Sequence, residues 1–206
     1  EELPLVKAQV TELVNAAIVN GDTPGFVLVT FRDVVSEPFI TNDPYAFRSV
    51  VNALVAQGGG DCPEMSGAAT LRAVKASVQG SRVITYTDAT SKDPDALLDA
   101  KVRAEADDIR VEVRSTGSCS PIDPTYKELT SGTGGQLFVI QPNEIPQLTP
   151  LTTPQLSGDF QPLLIANGVF SGTPRVFTVP IDLSVRHAVF SIASEAAVTL
   201  AVTRPS

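Results

Sequence analysis

Tryptophan is absent from this sequence, and histidine and methionine each occur only once in its 206 residues. The single histidine, His187, excludes a zinc site built from several histidines, and a Ser-His-Asp or Cys-His catalytic arrangement would depend on that one residue. The lack of tryptophan leaves no aromatic-rich platform for stacking nucleic acid bases or sugars. These absences make an enzyme the least favoured class of function.

Positive charge is also scarce. The chain has 15 Lys and Arg residues and 23 Asp and Glu residues, so its formal net charge is −8. No cluster of basic residues interrupts this acidic background. Nucleic acid is therefore disfavoured as a partner, because phosphate binding needs a positive stripe. No apolar run approaches the roughly 20 residues of a membrane-spanning helix. We expect a soluble chain without a signal peptide as given, and a processed secreted form would look the same.

Cysteine occurs only twice, at Cys62 and Cys119. Two cysteines are compatible with one disulfide or with two buried free thiols, and composition alone does not decide between them. A nucleophilic role for Cys62 is disfavoured because the only histidine lies far along the chain, at the start of a strand-like segment. For His187 itself we expect a surface or packing role.

Helical and strand patterns alternate over residues 1–145. Apolar residues at three- and four-residue steps predict a helix over residues 2–20, and Asp43 is predicted to cap a second helix that starts at Pro44. Further helices are predicted over 66–78, from 93–94 to 108, and within 124–135. Apolar, β-branched runs predict strands at 26–31, 81–87, 109–116 and 136–141, with an edge strand at 36–43. This alternation is typical of a parallel, three-layer α/β sheet.

The pattern changes after this region. Residues 146–160 are rich in proline and poor in periodic apolar residues, which predicts an interdomain linker. Residues 161–206 show only strand-like patterns, and we expect a small β-sheet module with strands at 163–169, 175–181, 187–193 and 197–203. A lone four-stranded sheet leaves one apolar face and two edges bare, so this module is predicted to be incomplete.

Three segments carry a resemblance to a known family: GGGDCPEMSGAA at 58–69, YTDATSKD at 86–93 and TGSC at 116–119. With the order of helices and strands, they resemble the von Willebrand factor A domain, in the subgroup seen in hemicentin-like extracellular proteins. The resemblance covers about residues 1–145 and implies a three-layer, Rossmann-like α/β fold. The β-patterned tail is similar, much more weakly, to sandwich-like modules that accompany such domains in some secreted proteins.

The resemblance implies a metal-ion-dependent adhesion site. In this family a cation is held by an Asp-x-Ser-x-Ser motif on the first strand, a Thr or Asp in a second loop and an Asp in a third, and a carboxylate of the partner completes the coordination. Asp61 matches the second-loop position and Asp88 the third-loop position. Ligand sites of open α/β sheets lie beyond the carboxyl ends of the strands, where both residues are expected. Oxygen ligands suit Mg²⁺, with Mn²⁺ or Ca²⁺ as alternatives.

The sequence departs from the family at its beginning. Glu1 falls at the start of the family's first helix, so the first strand and its Asp-x-Ser-x-Ser motif have no counterpart in these residues. The chain by itself supplies two carboxylates at most, too few for a well-defined cation site. We therefore expect a fragment or processed piece whose first strand lies upstream or on another polypeptide, and a cation site that these residues alone do not fill.

Each candidate residue also has an ordinary structural interpretation. Asp88 could be a helix cap or loop carboxylate, and Asp61, after three glycines, could be a turn residue. Asp93 and Ser91 are predicted to cap the fourth helix. Glu64 is predicted to compensate the dipole at a helix start.

The resemblance further implies a disulfide between Cys62 and Cys119, since similar domains pair these positions. It implies a secreted or cell-surface adhesion module, without catalytic activity, that binds a protein or matrix partner through the cation site. The alternative is a structural subunit of an extracellular fibre or assembly, completed by strands from neighbouring chains. A third hypothesis, an intracellular A domain coupled to an ATPase, is disfavoured by the paired cysteines.

Overall fold

The computed structural model describes residues 2–21, 25–56, 62–117, 119, 121–156, 163–164, 166, 172–186, 188–192, 194 and 197–203. Helices in these residues are α1 (Leu3–Val19), α2 (Pro44–Ala53), α3 (Ser66–Ala76), α4 (Pro94–Ala106) and α5 (Pro124–Gly132). The strands are β1 (Phe26–Leu28), β2 (Phe39–Thr41), β3 (Arg82–Thr87), β4 (Arg110–Ser115) and β5 (Leu137–Val139). Helices and strands alternate as the sequence predicts, and the α/β fold class is confirmed.

The strands form two separate sheets. β3, β4 and β5 make a parallel three-stranded sheet, in which Arg82 lies opposite Arg110 and Val113 lies opposite Leu137. β1 and β2 form an antiparallel pair. Parallel neighbours need helical crossovers, and α4 and α5 supply those that join β3 to β4 and β4 to β5.

The main core lies between the parallel sheet and helices α3, α4 and α5. Its fully buried side chains are apolar and come from both layers: Val74, Leu97, Ala100, Ala104, Ile109, Val111, Val113, Tyr126 and Leu129. A smaller core joins α1 and α2 to the antiparallel pair through Val14, Phe47 and Val51, and the Phe26 ring stacks on Phe47 with centroids 4.9 Å apart. Burial of these side chains on two sides of the strands gives the layered architecture.

A slot separates the two sheets. In the part of the chain that the structure describes, β3 is hydrogen-bonded to one strand, β4, and β1 to one strand, β2. Residues of β1, β3, α1 and α3 line a cavity of about 1500 Å³. We call this cavity the slot.

The face of the parallel sheet toward α1 carries a buried ion pair. Arg114 on β4 is fully buried, and its Nε donates to Oε1 of Glu112 at 2.5 Å. Its Nη1 donates to Oε1 of Gln9 in α1 at 2.5 Å and to the hydroxyl of Tyr86 in β3 at 2.8 Å, while Nη2 donates to the hydroxyl of Thr152. The guanidinium thus joins two strands, the first helix and the segment after β5.

The structure differs from the predicted linker at residues 146–156. This stretch belongs to three helical turns, Pro142–Leu148, Thr149–Thr152 and Thr153–Leu156, that pack on α1. Ile145 is fully buried, and its carbonyl accepts a hydrogen bond of 2.7 Å from Nε2 of Gln9. Proline stands in the first turn of the first two helical pieces, where its missing N–H costs nothing, so the prolines start short helices here.

The predicted β module has no strand among the described residues between 163 and 203. Large apolar side chains there, such as Val176 and Leu183, are exposed. Parts of the strands predicted at 163–169 and 187–193, together with His187, lie outside the described residues. The module at 161–206 and its boundary therefore stay predictions.

Candidate functional site

Asp88 lies at the carboxyl end of the parallel sheet. It directly follows β3 and is exposed, whereas Thr87 and Ala89 on either side are buried. The Ala89 N–H donates to the Thr87 hydroxyl at 3.2 Å, and the Thr87 carbonyl accepts from the Thr116 N–H at 3.0 Å. Asp88 thus presents a carboxylate from a turn anchored on both sides. Asp61, the second predicted ligand, lies outside the described residues, and its place beside Asp88 stays a prediction.

The loop that follows Asp61 is paired with the loop that follows Asp88. The Glu64 N–H donates to the Thr90 carbonyl at 3.0 Å, and the Lys92 N–H donates to the Glu64 carbonyl at 2.7 Å. These bonds form a short parallel bridge between Glu64 and Ser91. Glu64 stands two residues before α3, and its predicted effect on the helix dipole stays a prediction. The chain segments after the two predicted ligands are therefore held side by side.

A disulfide between Cys62 and Cys119 adds a third loop to this edge. Its Cα atoms are 6.3 Å apart, and it joins residues 57 positions apart in sequence. Cys119 belongs to the loop after β4, the strand next to β3. The loops after β3 and β4 and the loop before α3 are consequently linked by one covalent bond and one backbone bridge.

The prediction that Asp93 and Ser91 cap their own helix is wrong. Asp93 occupies the first position before α4 but makes no side-chain capping bond there. Its carboxylate accepts hydrogen bonds from the N–H groups of Gly67 at 3.0 Å and Ala68 at 2.6 Å, in the first turn of α3. The Ser91 hydroxyl donates to the same carboxylate at 3.1 Å. Met65, at the cap position of α3, offers no capping oxygen, so Asp93 satisfies the donors that α3 exposes.

A buried hydroxyl pair lies beneath the same loops. The Tyr126 hydroxyl in α5 is 2.5 Å from the Ser66 hydroxyl at the start of α3 and donates to the Ala89 carbonyl at 3.2 Å. Burial raises the pKa of the Tyr126 phenol, so it remains protonated. The sequence pattern does not predict these two residues as part of the site, because a tyrosine on the apolar face of a helix is indistinguishable from a core residue. Tyr126 connects the residue after Asp88 to the residue that opens α3.

The described residues do not by themselves form a cation site. No group of three or more His, Cys, Asp or Glu side chains in that part of the chain is arranged to hold a metal ion. Asp88 supplies one exposed carboxylate, and Mg²⁺ or Ca²⁺ needs about six or more oxygen ligands, some of them waters. A cation at this edge would need oxygen donors in addition to Asp88.

No helix within the described ranges is long and apolar enough to span a membrane. The features that matter at the sheet edge are an exposed carboxylate, a disulfide and a set of hydrogen bonds that fix the loops.

Sequence comparisons agree with this architecture. The profile of the von Willebrand factor A domain matches residues 1–142. The chain is 35% identical to human hemicentin-1 over 127 residues, which is 58% of this chain and 2% of hemicentin-1. It is 27% identical to mouse hemicentin-2 over 172 residues, 81% of this chain and 3% of that protein. Mouse von Willebrand factor A domain-containing protein 7 is 29% identical over 198 residues, 87% of this chain and 22% of that protein.

The chain thus spans only a small part of the relatives that it matches. The matched region contains both sheets, the five helices named above and the loops at the sheet edge. With a family profile that covers well over half of its residues, this chain belongs to the von Willebrand factor A domain family.

Proposed function

We propose that this chain is an extracellular adhesion module that binds a protein or matrix partner at the carboxyl end of its sheet, without catalytic activity. The observation that carries the proposal is the exposed Asp88 carboxylate on loops fixed by a disulfide and a backbone bridge. Family membership and the similarity to hemicentins support binding as the function. The disulfide supports a secreted or cell-surface location, because disulfides persist in oxidising compartments.

More specifically, we propose that this edge binds a divalent cation, Mg²⁺ or alternatively Mn²⁺ or Ca²⁺. Asp88 and Asp61 would each give it carboxylate oxygens, and an Asp-x-Ser-x-Ser segment outside these residues would give the others. A bound cation supplies a positive centre for an acidic side chain of the partner. The chain's own contribution is to expose the Asp88 carboxylate and to fix its backbone, so that little conformational entropy is lost on binding.

Mn²⁺ titration monitored by NMR tests the cation on a protein in which a segment carrying the Asp-x-Ser-x-Ser oxygens accompanies these 206 residues. In this protein we expect paramagnetic broadening of the amide signals of residues 87–90, and we expect the broadening to be absent when Asp88→Asn is introduced. Asp99→Asn, which removes an exposed carboxylate in the middle of α4, is the matched control and should behave as wild type. Equal broadening in Asp88→Asn and wild type would contradict a role for Asp88.

Adhesion is tested separately on plates coated with cell-derived extracellular matrix. We expect retention of the protein that carries the Asp-x-Ser-x-Ser segment to fall in EDTA and to fall equally for its Asp88→Asn variant, whereas its Asp99→Asn variant should be retained as wild type. If neither EDTA nor Asp88→Asn lowers retention, the role of the cation is contradicted but adhesion is not. Retention no higher than that of an unrelated acidic protein of similar size would contradict adhesion itself.

A further inference from the structure

We propose that Arg48 and the side chains around it form a second binding site, which takes a carboxylate side chain flanked by an apolar residue on a protein partner. The site consists of Asn15 and Val19 in the second half of α1 and of Tyr45 and Arg48 in α2. We call these four residues the α1–α2 patch. The site uses neither Asp88 nor the proposed cation, so it is independent of the function proposed above.

The Arg48 guanidinium is held in place by two neutral side chains. Its Nη1 donates to Oδ1 of Asn15 at 2.5 Å, which joins α2 to α1. Its central carbon lies 5.4 Å from the centroid of the Tyr45 ring, one helical turn earlier, within the ~6 Å of a cation–π contact. Because these contacts already restrict a long, flexible side chain, little further conformational entropy is lost when a ligand binds it.

The positive charge of Arg48 has no carboxylate partner within the described part of the chain, although the sequence contains 23 Asp and Glu residues. By contrast, Arg103 on the surface of α4 is paired with Asp107 at 2.6 Å. A guanidinium has five N–H donors in a planar fork, and the bond from Arg48 to Asn15 uses one of them. The ligand that matches such a fixed fork is a carboxylate, which accepts two parallel N–H bonds.

Helices α1 and α2 run antiparallel beside this cation. Nζ of Lys7, near the start of α1, donates to the Asn52 carbonyl near the end of α2 at 2.8 Å. Further along α1, Asn15 contacts Arg48, which precedes Asn52 in α2. The end of α1 and the start of α2 therefore lie at the same end of the helix pair.

Two large apolar side chains are exposed at this end. Val19, the last residue of α1, is 84% exposed, and Tyr45, in the first turn of α2, is 63% exposed. The residues of the α1–α2 patch are not among the described side chains that line the slot, so this exposure is separate from that cavity. Tyrosine and arginine are enriched among the residues that dominate binding energy in protein interfaces. We therefore expect an apolar residue beside the carboxylate of the partner.

A single guanidinium favours a protein segment over a sulfated polysaccharide as the ligand. Extended polyanions bind along a stripe of several cations, and the sequence has no cluster of Lys and Arg residues. One planar fork beside an aromatic ring and a valine matches a short segment with one acidic and one apolar side chain. The chemistry of the partner is thus an exposed Asp or Glu next to an aliphatic or aromatic residue.

An NMR titration of the 206-residue chain with two synthetic peptides tests the proposal. Both peptides are acetylated and amidated; one is Gly-Leu-Asp-Leu-Gly, and in the other the aspartate is replaced by asparagine. We expect the acidic peptide to shift the Nε–Hε signal of Arg48 and the side-chain amide signals of Asn15 along a saturable, millimolar binding curve. The asparagine peptide should shift neither signal, because it lacks the charge that the guanidinium recognises.

Variants identify the contact. Arg48→Gln should weaken binding by about fivefold or more, and Arg48→Lys should weaken it too, because an ammonium lacks the planar fork that lies over Tyr45. Asn15→Ala keeps the charge but releases the guanidinium, so it should weaken binding by about twofold to threefold. Arg103→Gln, which changes the net charge equally, is the matched control and should bind as wild type. The wild-type signals report on the site directly even if a variant fails to fold.

Equal shifts with the two peptides would overturn the proposal, as would the lack of a saturable shift of the Arg48 signal up to about 20 mM acidic peptide. Equal losses of affinity in Arg103→Gln and Arg48→Gln would also overturn it, because overall charge would then attract the peptide. A heparin oligosaccharide that shifts the Arg48 signal at a concentration about tenfold lower than the peptide would assign the α1–α2 patch to a sulfated polysaccharide, and the proposed protein partner would be wrong.

Discussion

Asp93 caps the helix that contains Gly67, although Asp93 itself opens the next helix. The carboxylate accepts the Gly67 N–H at 3.0 Å, and the backbone oxygen of Asp93 lies so close to Gly67 that a Cβ at this position would collide with it. Glycine is therefore required at residue 67 by close approach. The starts of α3 and α4 are fixed to each other next to the exposed Asp88 carboxylate.

Replacing Asp93 with alanine should lower the free energy of unfolding by about 1–2 kcal/mol, the usual cost of losing a helix cap. The loss arises because the N–H groups of Gly67 and Ala68 are left without their acceptor. Urea denaturation measures the change. Asp99→Ala, an exposed carboxylate in the middle of α4, should stay within about 0.5 kcal/mol of wild type, and an equal loss in both variants would contradict the assigned cap.

Removing Arg114 should destabilise the chain more strongly. Arg114→Met removes the guanidinium that pairs with the buried Glu112 carboxylate at 2.5 Å, and breaking a buried ion pair costs about 3–5 kcal/mol. The double variant Arg114→Met/Glu112→Gln should recover part of that loss, because the remaining group is neutral. Chemical denaturation of the four proteins in this cycle gives the coupling energy, and strictly additive effects would show that the two side chains do not interact.

Reducing the disulfide should lower stability while leaving the sheet topology intact. Closing a loop between residues 57 positions apart constrains the unfolded chain by about 4 kcal/mol in the chain-entropy view. We expect dithiothreitol to lower the melting temperature of the wild type and to have no effect on Cys62→Ser/Cys119→Ser. A wild-type melting temperature insensitive to reductant, with the thiols shown by alkylation to be reduced, would contradict a stabilising disulfide.

Alkaline pH should destabilise the chain through Tyr86. Burial raises the pKa of this phenol to about 12 from its ordinary value of 10.0, and Arg114 acts in the opposite direction. The folded state thus holds the proton more tightly than the unfolded state, so this contribution is complete below pH 10 and is lost as pH rises from 10 to about 12.

Titration of tyrosinate absorbance at 295 nm should show a step near pH 12 that disappears in Tyr86→Phe. The unfolding free energy of Tyr86→Phe should also fall less steeply above pH 10 than that of wild type. Part of the alkaline loss should remain, because burial raises the pKa of Tyr126 in the same direction. Identical absorbance titrations for variant and wild type would contradict the assignment.

Local patterns in the sequence predict the parts of the fold that depend on neighbours in the chain. Asp43 was predicted to cap α2, and its Oδ1 accepts the N–H groups of Tyr45 at 2.8 Å and Ala46 at 3.2 Å. This cap is confirmed because donor and acceptor lie within three residues of each other. Asp93 shows the same sequence signal, an aspartate before proline, yet its partners lie about 25 residues earlier. Sequence spacing does not indicate which of the two helices such an aspartate caps.

The candidate site likewise has one part that the sequence predicts and another part that it does not. Asp88 follows directly from the end of a buried strand, so its place at the sheet edge could be predicted. The hydroxyl pair of Tyr126 and Ser66 spans 60 residues, and burial of Arg114 depends on Gln9 in a helix 105 residues away. Residues 146–156 have the composition of a linker, because three short helical turns leave no periodic signal. Contacts between distant segments decide each of these features.

The covalent link between Cys62 and Cys119 also determines what cleavage by a protease does to this chain. Helices α3 and α4 and strands β3 and β4 all lie between the two cysteines. A cut at any peptide bond in that interval leaves the two pieces joined, so a nicked molecule gains only the mass of one water and stays in one piece until the disulfide is reduced. Damage there would be invisible on a non-reducing gel and would appear as two bands only after reduction.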